Sequence, residues 1–570
     1  MLILFGLLFG GRLFAIQVIG GGHYKALAQA EQLRKFEIPA QRGVIYIQDN
    51  GERYPLVLNQ NYRTIYADPR FVEDSSEEAI ELSKILGGKA ADYEGLISQE
   101  DKVYVVIAKN VEPEKADKIE KLGLLGIGFK DSPKRVYPEG SLASQIVGFV
   151  NDEGQGQYGI EGLLNDELAG TPGLLKAVTD VRGIPLTTSG DGNIEQPAKN
   201  GDDIVLTIDR NVQQAVENAV KEGVERTNGK SGSAIVIDPK TGDILAMANY
   251  PTYNPAKFYE VEDQDNFGNK VVSDAYEPGS VMKSFTMAAG LQTKAVTPDT
   301  TFYDNGSVKI DDRIIYNADE RSWGQRSMKD VIRLSINTGA VYVLQQLGGG
   351  EINDKARNSL YGFLTNNYRF GSRLGIAQPN ENPGLVYSPD DQEGNNVRYS
   401  NMAFGQGMTA TLLQISSAFS ALINGGDYYQ PHLIHTTVNS LTGEETTNDP
   451  QVISNNAVTD EVATQIRSML ISVVESGGGY YARRDGYTIG GKTGTSQLIE
   501  ADGTYSTSRY TGSFVGFISS GGVSKSPEYV VMTRIVEPQV GIGAGSEAAA
   551  PVFGDIEDFL IDYYQIPPNR

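Results

Sequence analysis

Apolar residues crowd the start of the chain. Residues 1–20, MLILFGLLFGGRLFAIQVIG, are almost wholly apolar apart from Arg12 and Gln17. A run of that length can span a bilayer. No small-x-small cleavage site stands out, so an uncleaved anchor over 1–20 is expected, with a buried core helix as the other reading. Arg12 inside the run has to snorkel or find a partner helix. From 21 to 200, short strand-like runs alternate with charged amphipathic segments. VIYI (44–47) and VYVVIA (103–108) predict strands, and 77–86 and 113–122 predict helices. Glycines from 148 to 173 predict turns and extended connections. This stretch shows no catalytic constellation and reads as a structural or docking module.

Near residue 200 the spacing changes. DDIVLTID (202–209) predicts a strand, and Asp209 can cap a helix over 211–226. SAIVID (233–238) and DILAMA (243–248), joined by Pro239-Lys240-Thr241-Gly242, predict a hairpin. The stretch from 280 to about 475 is mostly helical, with helices over 328–347 and 412–423, the latter ended by Asn424-Gly425-Gly426. Strands return at 487–497, 513–519 and 528–536, and a last helix covers 548–563. Two strands before a helical middle and three after it predict an α+β domain over 201–570, with one antiparallel sheet flanked by helices.

Composition narrows the chemistry. At 570 residues, 40% hydrophobic and 21% charged, the chain is globular and long enough for several domains. Its net charge of −23 argues against non-specific nucleic-acid binding. With no cysteine, thiolate catalysis, disulfides and Cys-zinc sites are excluded. A Ser-His-Asp triad would have to use His23, His432 or His435, and the last two flank a short strand-like or loop segment.

Glu277-Pro278-Gly279-Ser280-Val281-Met282-Lys283 opens the helical middle. Pro278 and Gly279 break what precedes, and Ser280 sits where a helix would start. Lys283 is the only charge between Glu277 and Lys294. On a helix, Ser280 and Lys283 share a face about one turn apart. An ammonium in apolar surroundings loses hydration, and its pKa falls. A partly neutral lysine can take a proton from a neighbouring hydroxyl, and helix-start amides can bind the anion that forms there. This reads as an activated serine nucleophile. A buried helix with a snorkelling lysine is the plainer reading, because Ser-x-x-Lys arises by chance in a chain of this size.

Two further motifs change that balance. Ser335-Ile336-Asn337 lies in the helical segment IRLSINTGA, and Lys492-Thr493-Gly494-Thr495 lies on a predicted strand. In this order, Ser-x-x-Lys, Ser-x-Asn and Lys-Thr-Gly resemble the penicillin-binding protein and serine β-lactamase superfamily. Lys240-Thr241-Gly242 precedes the serine and reads as a turn, and Ser454-Asn455-Asn456 lies in a polar loop. IPAQRGVIY (38–46), RVYPEGSLASQIVGFV (135–150) and GIEGLLNDELAGTPG (159–173) resemble the N-terminal module of class B penicillin-binding proteins. FGQGMTATLLQISSAFSALINGG (404–426) resembles the helix after the active-site core of that class.

The resemblance implies a single-pass membrane protein with an elongated pedestal over 21–200 and an extracytoplasmic D,D-transpeptidase domain. No glycosyltransferase module is visible ahead of the pedestal, as class B requires. It implies that Ser280 attacks the carbonyl between the last two D-alanines of a peptidoglycan stem peptide and that Lys283 takes its proton. Ser335 would relay a proton to the leaving D-alanine, and Asn337 would hold Lys283 and the substrate amide. Lys492, Thr493, Gly494 and Thr495 would bind the terminal carboxylate, with the Ser280 and Thr495 amides as oxyanion hole. A β-lactam would acylate Ser280. A SEDS-family glycosyltransferase is the implied membrane partner, and no metal or organic cofactor is implied. A β-lactamase needs neither anchor nor pedestal. A β-lactam sensor resembles a fused metalloprotease, and HExxH is absent. A catalytically inactive scaffold would not need Ser280, Lys283, Asn337 and Lys492 intact.

The choice between the two Lys-Thr-Gly motifs is testable. Lys492→Ala should slow acylation by a penicillin and Lys240→Ala should leave the second-order rate nearly unchanged. Equal effects would refute the assignment.

Overall fold

A computed structural model describes residues 2–14, 33–178, 194–500 and 502–570. Five of the six strands predicted for the catalytic half form one antiparallel sheet, and the one over 202–209 joins another. The order of the five is Ile244–Tyr250, Ser231–Ile237, Tyr529–Val536, Tyr505–Ser519, Thr488–Ile499. The two ends of the half therefore meet in mid-sheet, where Ser233 lies opposite Arg534. Side chains alternate between two faces along each strand. Phe514, Ile518, Val531 and Ile535 face the helices Arg210–Arg226 and Ala550–Tyr563, against Val216, Val220, Phe553 and Leu560. Val515, Phe517, Val530 and Met532 face the larger core that holds the helices Lys283–Gln292 and Leu412–Ile423. Asp209 caps Arg210–Arg226 as its sequence predicts, accepting from the amides of Asn211 and Val212.

The N-terminal half is tied into this body by strands. Ile45–Asp49 pairs antiparallel with Glu52–Ala67 and parallel with Asp203–Asp209. Asp203–Asp209 then pairs with Ile434–Val438 from far down the chain. A separate small core, including Ile65, Leu82, Ile97, Ile107 and Ile119, lies under the helices Ser75–Leu86, Ala90–Ile97 and Pro113–Glu120. Where the module meets the rest, Glu161 is fully buried and bridges Arg42 at 2.5 Å and Arg135 at 2.7 Å.

Two expectations are corrected. The helix expected over 328–347 is two helices, Met328–Arg333 and Asn337–Leu347. The first ends in a Schellman turn: the Ile336 amide donates to the Val331 carbonyl and the Ser335 amide to Ile332, with Ser335 at φ 59°. The helical middle also contains two small hairpins, Thr301–Asp304 with Gly324–Ser327 and Ser307–Ile310 with Arg313–Tyr316. Their polar, short strands carry little period-two signal. At the N-terminus, Leu2–Phe14 is a helix of 13 residues, roughly 20 Å long. Among the described residues, no helix is long and apolar enough to cross a membrane, and the rest of the expected anchor lies outside them.

Removing one partner of a buried ion network leaves charges unpaired, which costs about 3–5 kcal/mol. Glu161→Ala should therefore raise hydrogen-exchange rates in the strand Glu52–Ala67 by about 100-fold, because Arg42 and Arg135 lose their shared acceptor. Unchanged exchange would show the triad to be energetically neutral.

Candidate active site

Ser280 sits in a 3-10 turn, Gly279–Met282, that runs into the helix Lys283–Gln292. The turn is wedged between a loop and a strand. The Gly279 amide donates to the Gly405 carbonyl at 3.0 Å. Gly279 has φ 61°, and a Cβ there would lie 2.6 Å from the Thr495 carbonyl oxygen. From the other side, a Cβ on Gly494 would lie 2.6 Å from the Pro278 carbonyl and 2.4 Å from Ser513 Oγ. Only glycine permits that approach, so both glycines set the distance from nucleophile to strand. Gly490 and Gly491 have a different use. Their missing side chains make room for the rings of Phe517 and Phe514, not for a ligand.

The structure gathers the three motifs. Lys283 is 1% exposed, and its Nζ lies 2.8 Å from Ser280 Oγ, 2.6 Å from the Ser335 carbonyl and 3.1 Å from Ser335 Oγ. Lys492 is also 1% exposed, with Nζ 3.0 Å from Ser335 Oγ, 3.1 Å from the Thr493 carbonyl and 3.3 Å from Thr493 Oγ1. Ser335 thus stands between two buried amines. It reaches that place because the left-handed turn projects it out of the helical path.

Burial, and then the charge of Lys492, hold the Lys283 pKa well below the ordinary lysine value. Burial alone lowers Lys492 to about 7. A neutral Lys283 has two N–H donors and one lone pair. Its contacts match that inventory: the Ser335 carbonyl and Oγ can accept, and the Ser280 hydroxyl can donate. This is the geometry of a base poised on a nucleophile.

The remaining predicted residues divide. Thr493, Thr495 and Asn337 line a pocket of about 680 Å³ that opens onto Ser280, while Lys492 and Gly494 lie behind its wall. Asn337 does not hydrogen-bond Lys283. Its Nδ2 donates to the Tyr316 carbonyl at 2.9 Å, because it begins the second helix and points away from the turn. Thr495 Oγ1 accepts from the Gly545 amide at 3.2 Å. His432 pairs with Asp243 at 2.6 Å and does not line this pocket, nor do Lys240 and Ser454.

Sequence reading missed one wall and one support. Tyr316, Asn317, Asp319, Glu320 and Trp323 face the strand across the pocket. No motif marks them. Glu277 is buried and accepts from the Gly407 amide at 2.7 Å and from the Tyr505 hydroxyl at 2.9 Å, tying three segments together behind Ser280. A lone acidic residue before Pro278-Gly279 was its only sequence signal.

Comparison with known proteins agrees with this arrangement. Residues 232–558 match the penicillin binding protein transpeptidase domain and residues 37–206 the penicillin-binding protein dimerisation domain. The chain is 30% identical to stage V sporulation protein D of Bacillus subtilis, over all of this chain and 86% of that one. It is 30% identical to penicillin-binding protein PbpB of Mycobacterium tuberculosis, over 98% of this chain and 83% of that one. Penicillin-binding protein 2X of Streptococcus thermophilus superposes with a TM-score of 0.78 at 25% identity, covering 92% of this chain and 80% of that one. Penicillin-binding protein 3 of Mycobacterium tuberculosis, solved with aztreonam, gives 0.70 at 25% identity, covering 94% and 98%.

The chain belongs to the class B penicillin-binding proteins, with a dimerisation domain ahead of a transpeptidase domain. It is a serine-type peptidoglycan D,D-transpeptidase of cell-wall synthesis.

The lowered Lys492 pKa has a stability consequence. In the unfolded chain this lysine holds its proton up to about 10.4, and in the folded chain only to about 7. Between those values the unfolded state binds more protons, so stability rises with pH. The unfolding free energy of wild type, minus that of Lys492→Met, should increase from pH 7 to 9 by at most about 1.4 kcal/mol per unit. A flat or falling difference in urea titrations would contradict a depressed Lys492.

Proposed function

We propose that Ser280, Lys283, Ser335, Asn337 and Lys492, with Thr493, Gly494 and Thr495, carry the transpeptidation. The observation behind this reading is the meeting of Ser280, Lys283, Ser335 and Lys492 within hydrogen-bond distance from three distant parts of the chain. Ser280 Oγ attacks the carbonyl of the penultimate D-alanine, and its proton passes to neutral Lys283. The amides of Ser280 and Thr495 stabilise the oxyanion. As the C–N bond breaks, the proton moves from Lys283 through Ser335 Oγ to the leaving D-alanine nitrogen. An acceptor stem-peptide amine then attacks the ester carbonyl. Its proton returns along the same path to Ser280, and the new amide is the cross-link.

Lys492 sits behind Thr493 and not in the open pocket, so its positive charge acts on the terminal carboxylate through Ser335 and Thr493. Asn337 faces the pocket from the opposite wall, where its amide meets the substrate backbone. A β-lactam enters the same sequence and stops at the acyl-enzyme. The aztreonam and ampicillin complexes of the Mycobacterium tuberculosis protein support this.

Residues 1–20 serve as a membrane anchor, residues 21–200 as the pedestal, and 201–570 as an extracytoplasmic catalytic domain. The apolar run supports the first, and the family matches on either side of 206–232 support the division. Class membership supports a SEDS-family glycosyltransferase as partner.

Ser280→Ala should abolish the covalent penicillin adduct while the protein stays folded, with mass spectrometry as the readout. Lys283→Arg should lose acylation about as severely as Lys283→Ala, because guanidinium does not deprotonate in proteins. The decisive measurement is the second-order rate from pH 5 to 9. An arginine variant near wild type would rule out Lys283 as the base, and an adduct on another serine would rule out Ser280.

A further inference from the structure

The pocket wall opposite the Lys492 strand spans residues 316–323, carried by the two small hairpins. None of the proposed catalytic groups lies on it. Behind it sits Asp304, at the end of the first hairpin strand and fully buried. Its Oδ1 accepts from the Gly306 amide at 2.9 Å and the Thr338 hydroxyl at 2.6 Å. Its Oδ2 accepts from Asn317 Nδ2 and the Trp323 amide, both at 2.9 Å. Its carbonyl accepts from the Ser322 hydroxyl at 2.7 Å.

These bonds join two bodies. Gly306, Asn317, Ser322 and Trp323 belong to the wall and its hairpins. Thr338 belongs to the helix that begins with Asn337. The same seam has two more stitches. Asn317 Oδ1 accepts the Thr338 amide at 3.1 Å, capping a helix whose own N-cap, Ile336, offers no side-chain acceptor. Asn337 Nδ2 donates to the Tyr316 carbonyl at 2.9 Å. Among the described residues Asp304 has no ion pair, so a buried carboxylate is held by neutral donors alone. Apolar packing stabilises such a place as well as a buried charge does. What the carboxylate adds is direction, because Oδ1 holds Gly306 to Thr338 of the helix while Oδ2 holds Asn317 and Trp323 of the wall.

We propose that Asp304 is a positioning residue for substrate selection. It sets the 316–323 wall against Ser335 and Asn337, so that an extended peptide is gripped between this wall and the Lys492 strand. The inference rests on Ser280 being the nucleophile. The reaction centre itself is held without Asp304, since Ser335 Oγ is fixed by Lys283 and Lys492 and Ser280 by Lys283. A small β-lactam that needs only that centre is insensitive to Asp304. A peptide donor that needs both walls depends on it.

The test compares two substrates on the full chain. Penicillin acylation is read as adduct formation. Peptide use is read as D-alanine release from a synthetic stem pentapeptide ending in D-Ala-D-Ala. Asp304→Asn places an N–H₂ where donors converge, and should lower peptide kcat/KM by about 100-fold, mainly through KM. Thr338→Val removes one donor and leaves the rest of the seam, so it reports even if the first variant folds poorly. It should lower peptide kcat/KM by about tenfold. Penicillin rates should change by less than about threefold in both. Equal losses for the two substrates, or a lower melting temperature with the substrate ratio unchanged, would overturn the role of Asp304. A wild type that forms no penicillin adduct at Ser280 would overturn the nucleophile assignment, which separates the two readings.

Discussion

Two buried lysines share one serine hydroxyl, and the catalytic half is arranged around that fact. Ser335 Oγ lies 3.1 Å from Lys283 Nζ and 3.0 Å from Lys492 Nζ, with both amines 1% exposed. Two ammonium groups cannot both stay charged there at low cost, because burial and mutual repulsion act in the same direction. Burial and the charge of Lys492 therefore favour a neutral Lys283, which is free to accept a proton. A single hydroxyl between them can accept from one and donate to the other, so Ser335 bonds both amines at once.

That constraint explains where the fold places its tightest contacts. The Ser280 turn, the loop at Gly405 and the Lys492 strand approach so closely that a Cβ on Gly279, Gly405 or Gly494 would overlap backbone oxygens. The nucleophile helix is buried from Lys283 to Leu291, so it cannot tilt to relieve the crowding. Glu277 holds the turn from behind through Gly407 and Tyr505. The sheet gives the strand its rigidity, being antiparallel at every step and packed by helices on both faces. Precision at the site thus comes from regular structure and glycine contacts, with no metal-binding cluster among the described residues.

The N-terminal half and the catalytic half are not beads on a string. The strand Asp203–Asp209 pairs with one strand of each, and buried Glu161 secures the module next to that junction. The wall of residues 316–323 is built differently. Its short strands place Phe302, Ile310 and Ile315 in the core, and Asp304 and Asn317 bond it to Thr338 of the neighbouring helix.

Much of this was legible in the chain before any coordinates. Short strand-like runs bounded by turn residues located the five sheet strands, and Asp209 announced the helix after it, because local sequence and capping act within a few residues. The three motifs marked Ser280, Lys283, Ser335 and Lys492, since their chemistry needs those side chains whatever the fold. The left-handed break at Ser335 was not legible, because 328–347 has a continuous helical period and only the packing of the second helix selects the turn. The use of the glycines at 490 and 491 was not legible either, because the rings they make room for, Phe517 and Phe514, arrive from the adjacent strand. Sequence alone determined the candidate reactive residues and the class of sheet that would hold them. Tertiary structure alone decided that two lysines would share one hydroxyl, that Asn337 would face Tyr316 and not Lys283, and that Asp304 would stand behind the far wall. Those are contacts between segments remote in sequence, and no local propensity encodes their distance.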